Sequence, residues 1–173
     1  HRLRGQCDTI LVGTGTVLTD DPQLTVRDEH DRPLPPERQL LRVVMGIREV
    51  PFDRRVRDAA AETVVLATRD PGQALGDLFD GGRRHVFLEG GPTLAAAFIR
   101  AGFVDEVVAY VAPVLLGAGR SAVADLGIDT IANALHLCVR DVTVLGSGAE
   151  ANVRLTMAGP STTTRARPVK RGE

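Results

Sequence analysis

Four side chains near the ends of short apolar segments carry most of the chemistry in this sequence: the carboxylates Asp20 and Glu89 and the guanidinium groups Arg4 and Arg27. Gathered in one pocket, two guanidinium groups would take a phosphate, and two carboxylates would take hydroxyls or move a proton. Each has a plainer reading alone. Asp20-Asp21-Pro22 makes an ordinary turn, and Arg27 is a surface charge on a loop. The other feature is Phe87-Leu-Glu-Gly-Gly-Pro-Thr-Leu94. Gly90 and Gly91 let a ligand approach the backbone with no Cβ in the way, and Pro92 suits a first helical position. A helix opening there points the free N–H groups of Gly90 to Thr93 and a positive dipole end outward, which suits a phosphate or pyrophosphate. The alternative is a tight strand-to-helix turn with Glu89 as a solvated rim residue. Nucleophilic chemistry finds little support, since there is no G-x-S-x-G elbow and neither Cys7 nor Cys138 has a His at a persuasive spacing. His1, His30, His85 and His136 are dispersed, so no metal site is expected.

The elements that must position these groups follow from periodicity and punctuation. Short apolar runs predict strands over 8–12, 40–45, 62–67, 85–88 and 105–112. Residues 1–6 resemble the last turns of a helix, and 17–21 one helical turn stopped by Asp21-Pro22. Helices are predicted over 71–79, capped by Asp70, and from Pro92 to Ala101, stopped by Gly102. Residues 53–61 read as a short helix or turn. The prolines of 27–39 mark a long exposed loop, and 115–119 is a glycine loop. Strands over 135–145 and 151–157, joined by Gly146-Ser-Gly148, make a terminal hairpin. Gly13-Thr-Gly15 invites a dinucleotide-binding fingerprint, but Leu18 stands where the third glycine belongs. The pattern predicts an α/β fold with a mixed, mostly parallel sheet, flanking helices and a C-terminal antiparallel hairpin. One domain is expected over 1–158, with 159–173 a disordered tail rich in Pro, Thr and Arg.

Composition excludes several classes. The 173 residues suffice for a real core, and with 3% aromatics and no Trp it must be aliphatic. A base-stacking platform is not expected, and a net charge of −1 offers no footprint for nucleic acid. Two cysteines make no disulfide framework. No run has membrane-spanning length and no signal peptide is read, so a cytoplasmic protein is expected.

Four blocks carry a family resemblance: Cys7-Asp-Thr-Ile-Leu-Val-Gly-Thr-Gly-Thr-Val-Leu-Thr-Asp-Asp-Pro-Gln-Leu-Thr-Val-Arg27, Leu88-Glu-Gly-Gly-Pro-Thr-Leu-Ala95, Gly102-Phe-Val-Asp-Glu106 and Tyr110-Val-Ala-Pro-Val-Leu-Leu-Gly117. In order, from about Arg4 to Met157, the chain resembles the reductase domain of bacterial riboflavin-biosynthesis deaminase-reductases. The resemblance implies a dihydrofolate-reductase-like fold. It also implies NADPH-dependent reduction of 5-amino-6-(5-phosphoribosylamino)uracil to its ribityl counterpart. Substrate contacts are implied for Arg4, Leu24, Arg27 and Glu89. Cofactor contacts are implied for Thr16, Asp20 and the turn through Gly90, Gly91, Pro92, Thr93, Leu94 and Ala95, as far as Ala97. Glu89 is the candidate for gripping ribose hydroxyls, and Asp20 for orienting the nicotinamide or relaying a proton. The chemistry needs a hydride at C1′ and a proton on nitrogen, but neither a nucleophile nor a metal. A homodimer is the implied assembly.

The chain departs from the family in three respects. The zinc-binding deaminase half is absent, so this chain is not expected to deaminate, and a deaminase domain is expected upstream in the full-length protein. The second strand commonly ends in Asp-Ser; here Gly46-Ile47-Arg48 follows it, with Arg48 a candidate partner for a cofactor 2′-phosphate. Val114 also differs from the family's Ala-Pro-Lys-Leu-Leu-Gly. A strand before His1 is expected to be missing from between the strands at 85–88 and 105–112. The chain is therefore expected to be a fragment of poor stability alone. The rival readings are a reductase acting on the diaminopyrimidinone before deamination, and a non-catalytic nucleotide-binding module of the same fold.

Overall fold

The computed structural model describes residues 2–160. They form two compact units. Most of the tail expected from Gly159 lies outside the described residues; Gly159 itself still donates its N–H to the Asp105 carbonyl at 2.7 Å.

The first unit comprises residues 2–101 and 121–125. Its strands are β1 (Thr9–Gly13), β2 (Leu41–Met45), β3 (Thr63–Leu66) and β4 (Val86–Leu88). All pair in parallel, in the order β3-β2-β1-β4. Ile10, Leu11, Val12, Val43 and Val44 are fully buried. Both faces of β1 and β2 are covered, as parallel strands require, which explains their unbroken apolar runs. The helices are α1 (Thr14–Asp20), α2 (Pro71–Asp80) and α3 (Pro92–Ala101). α2 starts as its sequence dictates: Pro71 takes the first position and the Asp70 carboxylate accepts from the Gly72 and Gln73 N–H groups.

Two local expectations are revised. Gly13-Thr-Gly-Thr16 is not a glycine turn ahead of one helical turn. Gly13 is extended, and α1 runs directly from Thr14 to Asp20, with Asp21 closing it in the left-handed conformation at φ 42°. The residues before β1 form a 3-10 turn over Arg4–Gln6 rather than the end of an α-helix. Residues 53–61 contain a 3-10 turn, Arg55–Arg57.

The second unit holds β5 (Glu106–Val111), β6 (Cys138–Leu145) and β7 (Asn152–Ala158), antiparallel in the order β5-β7-β6. The hairpin of β6 and β7 carries a bulge between Val139 and Asp141. β6 begins at Cys138, later than the expected start at 135, and residues 134–137 have no regular structure.

Candidate functional site

Parallel pairing brings the carboxyl ends of β1, β2 and β4 to one edge of the first unit. Gly13 registers with Met45, Leu11 with Leu88, and the Glu89 N–H donates to the Leu11 carbonyl at 3.0 Å. Helices α1 and α3 both start from this edge. Leu94 and Ala95 donate back to the Gly91 carbonyl, while no described residue accepts from the Gly91 and Thr93 N–H groups. Those amides are the usual orphans of a helix start. Gly90 has a steric cause: a Cβ there would stand 2.7 Å from Leu94 Cδ2 and 3.1 Å from its Cβ, so a side chain at 90 would have to displace Leu94 from its place over the turn. A Cβ on Gly91 would point to Thr16 Oγ1 at 3.9 Å, and one on Gly15 would stand 3.0 Å from Arg48 Nη2. Thr16, Arg48 and the Gly-Gly-Pro turn thus gather around α1, although 32 residues or more separate their parts of the chain.

Arg4 and Glu89, expected as separate ligand contacts, pair with each other. Arg4 Nε donates to Glu89 Oε2 at 2.7 Å and Nη2 to Oε1 at 2.6 Å. Nη1 donates to the Thr25 carbonyl at 3.0 Å. This is a side-on bidentate ion pair, the geometry that carboxylate and guanidinium favour. Each carboxylate oxygen keeps a lone pair for a hydroxyl.

The segment from Gln23 to Arg27 is held along its length by side chains distant in sequence. Arg42 Nη1 donates to the Gln23 carbonyl at 3.0 Å, and Arg4 holds the Thr25 carbonyl. The Gln39 amide accepts from the Val26 N–H and donates to the carbonyls of Val26 and Leu34. Leu24, between these anchors, is buried and left-handed at φ 57°. That conformation costs on the order of 1 kcal/mol for a residue with a side chain, and the fixed flanks sustain it. Arg27 at the end of the segment is three-quarters buried and donates to Asp31 and to Gln23 Oε1. Asp20 stands exposed at the end of α1, one turn beyond Thr16, whereas its neighbour Asp21 accepts from the Arg55 N–H at 2.9 Å. The structure therefore brings Arg4 to Glu89 and Thr16 to Gly91, and gives Arg27 partners of its own. It shows no contact between the Asp20 carboxylate and that of Glu89.

The description of the RibD C-terminal domain matches residues 1–150. The chain belongs to the RibD C-terminal domain family. It is 52% identical over 136 residues to the riboflavin biosynthesis protein RibD of Mycobacterium tuberculosis, covering 79% of this chain and 39% of that protein. It is 36% identical over 170 residues to the 2,5-diamino-6-ribosylamino-4(3H)-pyrimidinone 5′-phosphate reductase of Methanothermobacter thermautotrophicus, covering 84% and 79%. Among solved structures it resembles Acinetobacter baumannii RibD, with a TM-score of 0.76 and 25% identity over 91% of this chain and 48% of that one. The chain thus spans about two-fifths of the tuberculosis RibD.

In this RibD C-terminal domain, sequence reasoning missed two residues that shape the site. Arg42 lies on β2 with no exposed surface, and its guanidinium donates to Asp58 and Thr63 side chains and to the carbonyls of Gln23, Arg55, Asp58 and Ala61. Its clue was a charged residue inside Leu41-Arg-Val-Val-Met45, which must find full satisfaction if it is buried. Asp58 is the answering carboxylate. Burial pushes its pKa up, but hydrogen bonds from Arg42, Gln23 and the Ala60 N–H, with the charge of Arg42, hold it below the ordinary 3.8. Among the described residues, no group of three or more His, Cys, Asp and Glu side chains could hold a metal, and no helix is long and apolar enough to cross a membrane.

Proposed function

We propose that this domain performs the NADPH-dependent reduction of 5-amino-6-(5-phosphoribosylamino)uracil to 5-amino-6-(5-phosphoribitylamino)uracil in riboflavin biosynthesis. The observation that carries the reading is a glycine-bared helix start, Gly90 to Thr93, that faces Thr16 and directly follows Glu89, itself paired with Arg4. The Gly91 cradle fits a cofactor pyrophosphate: its amides have no acceptor among the described residues, and a side chain on Gly91 would fill the space before Thr16. When bound, NADPH supplies the hydride that reaches C1′ of the open-chain imine. Arg48, exposed beside Gly15, serves as partner for the 2′-phosphate. Pro92, Leu94 and Ala95 fix the start of α3, so the amides keep their direction.

Glu89 accepts ribose hydroxyls with the lone pairs that Arg4 leaves free, and Arg4 keeps it oriented. Arg27 takes the substrate phosphate, and Leu24 offers an apolar wall. Asp20 orients the nicotinamide or relays the proton that the ring-attached nitrogen gains as C1′ gains the hydride. The enzyme acts in the cytoplasm as a homodimer, and coverage of two-fifths of a RibD chain fits a deaminase domain in the same polypeptide.

A second reading, reduction of the diaminopyrimidinone before deamination, draws support from the 36% identity to the Methanothermobacter reductase. Following NADPH oxidation at 340 nm with each pyrimidine separates the two. Turnover of the uracil compound alone supports the first; faster turnover of the diaminopyrimidinone supports the second. Absence of oxidation with either, in a protein that binds NADPH, would leave a nucleotide-binding module.

A further inference from the structure

A chain of polar contacts runs from the middle of the parallel sheet to Arg27. Fully buried Arg42 donates through Nη1 to Asp58 Oδ1 at 2.8 Å. Asp58 Oδ2 accepts from Gln23 Nε2 at 2.7 Å, and Gln23 Oε1 accepts from Arg27 Nη2 at 3.3 Å. The direction of each contact is dictated by chemistry. An ionised Asp58 can only accept, so it turns the Gln23 amino group toward itself and leaves the amide oxygen facing Arg27. That oxygen is uncharged, so it steers the guanidinium without cancelling its charge. Asp31 holds the far end, where Nη1 reaches its Oδ2 and its carbonyl, each at 3.1 Å. Asp31 is largely exposed, so water screens its attraction. Arg27 Nε and a second Nη2 hydrogen remain for an anion.

We propose that Arg42, Asp58 and Gln23 are positioning residues for Arg27, and so set the affinity of the site for the phosphate end of its substrate. The inference rests on the reading above that Arg27 binds that phosphate. No part of the relay touches the cofactor turn, so its effect falls on substrate and not on NADPH.

The test uses steady-state kinetics of the intact protein, with ribose 5-phosphate as a competing probe of the phosphate subsite. Gln23→Leu keeps the side chain's size and removes both contacts. It is expected to raise the substrate KM and the ribose 5-phosphate inhibition constant about tenfold, the scale of one lost hydrogen bond to a charged group, with kcat and the NADPH KM within about twofold. Asp58→Asn, whose amide can present either end to Gln23, is expected to shift both in the same direction by about threefold. Arg27→Ala is the reference. If it weakens ribose 5-phosphate while Gln23→Leu does not, the relay is refuted and the phosphate reading stands. If Arg27→Ala has no effect, the phosphate reading fails and the inference falls with it. Parallel losses in kcat and NADPH affinity for Gln23→Leu would mark a merely structural role and also overturn it.

Discussion

Arg4 and Glu89, 85 positions apart, meet side on, each nitrogen of the guanidinium edge facing one carboxylate oxygen at 2.7 and 2.6 Å. The pair joins the turn before β1 to the end of β4, so neither residue acts alone at the site. Arg4→Ala and Glu89→Gln are each expected to raise the substrate KM about tenfold, and the double variant little more than either, because both remove one unit. A double-mutant cycle on kcat/KM reads this directly; additive losses would mean independent roles. Arg4→Lys should not rescue, since an ammonium cannot make the fork.

Asp20 should behave differently. It is exposed at the end of α1, clear of the Arg4–Glu89 pair, so Asp20→Asn is expected to lower kcat with the substrate KM little changed. Wild-type turnover in this variant would move the proton relay elsewhere.

Gly91 faces Thr16 across a gap in which a Cβ would be only 3.9 Å from the hydroxyl. Gly91→Val fills that gap and is expected to weaken NADPH by about 100-fold, some 2.7 kcal/mol, in a fluorescence titration. Unchanged affinity would place the pyrophosphate away from this turn.

Arg48 is expected to favour NADPH over NADH. Arg48→Ala should lower kcat/KM with NADPH about tenfold and leave NADH nearly unaffected, so that the ratio of the two cofactors reports the 2′-phosphate contact. Equal losses with both would assign Arg48 a different task.

Asp58 makes a prediction about acid. Its folded pKa lies below the ordinary 3.8, so its bonds contribute full stability above that value and lose it as pH falls through the folded pKa. Urea midpoints of the wild type should therefore drop more steeply below about pH 4 than those of Asp58→Asn. Near neutrality the variant should be less stable by about 1 kcal/mol, at the low end for a charged hydrogen bond because the carboxylate is 36% exposed.

What was legible in the sequence was local. The apolar runs placed β1 to β4, Asp70-Pro71 marked the start of α2, and Gly90-Gly-Pro92 placed the start of α3. α1 was misread because a Gly-Thr-Gly run looks like a turn, yet Gly13 alone makes the bend and helical backbone starts at Thr14. Pairings across the chain were illegible. Nothing near Arg4 names Glu89, nothing near Gln39 names Val26, and Arg42 shows its role only once Asp58 and Gln23 surround it. Arg4 and Arg27, read together as one phosphate site, also have separate protein partners, Glu89 for one and Asp31 and Gln23 for the other, and such long-range pairing is not written in the local sequence.

Gly46 follows β2 at φ 145°, and a Cβ there would stand 2.7 Å from Thr14 Oγ1 and 2.9 Å from its methyl carbon. The end of β2 and the first residue of α1 are therefore interlocked: the chain can thread past position 46 only while that residue is bare. For sequence drift this closes a path. A relative with a side chain at 46 can be reached from this sequence only through a smaller residue at 14 and a reset backbone at 46. The two positions should exchange together, and any transplant of the family's usual Asp-Ser into this chain has to begin at Thr14.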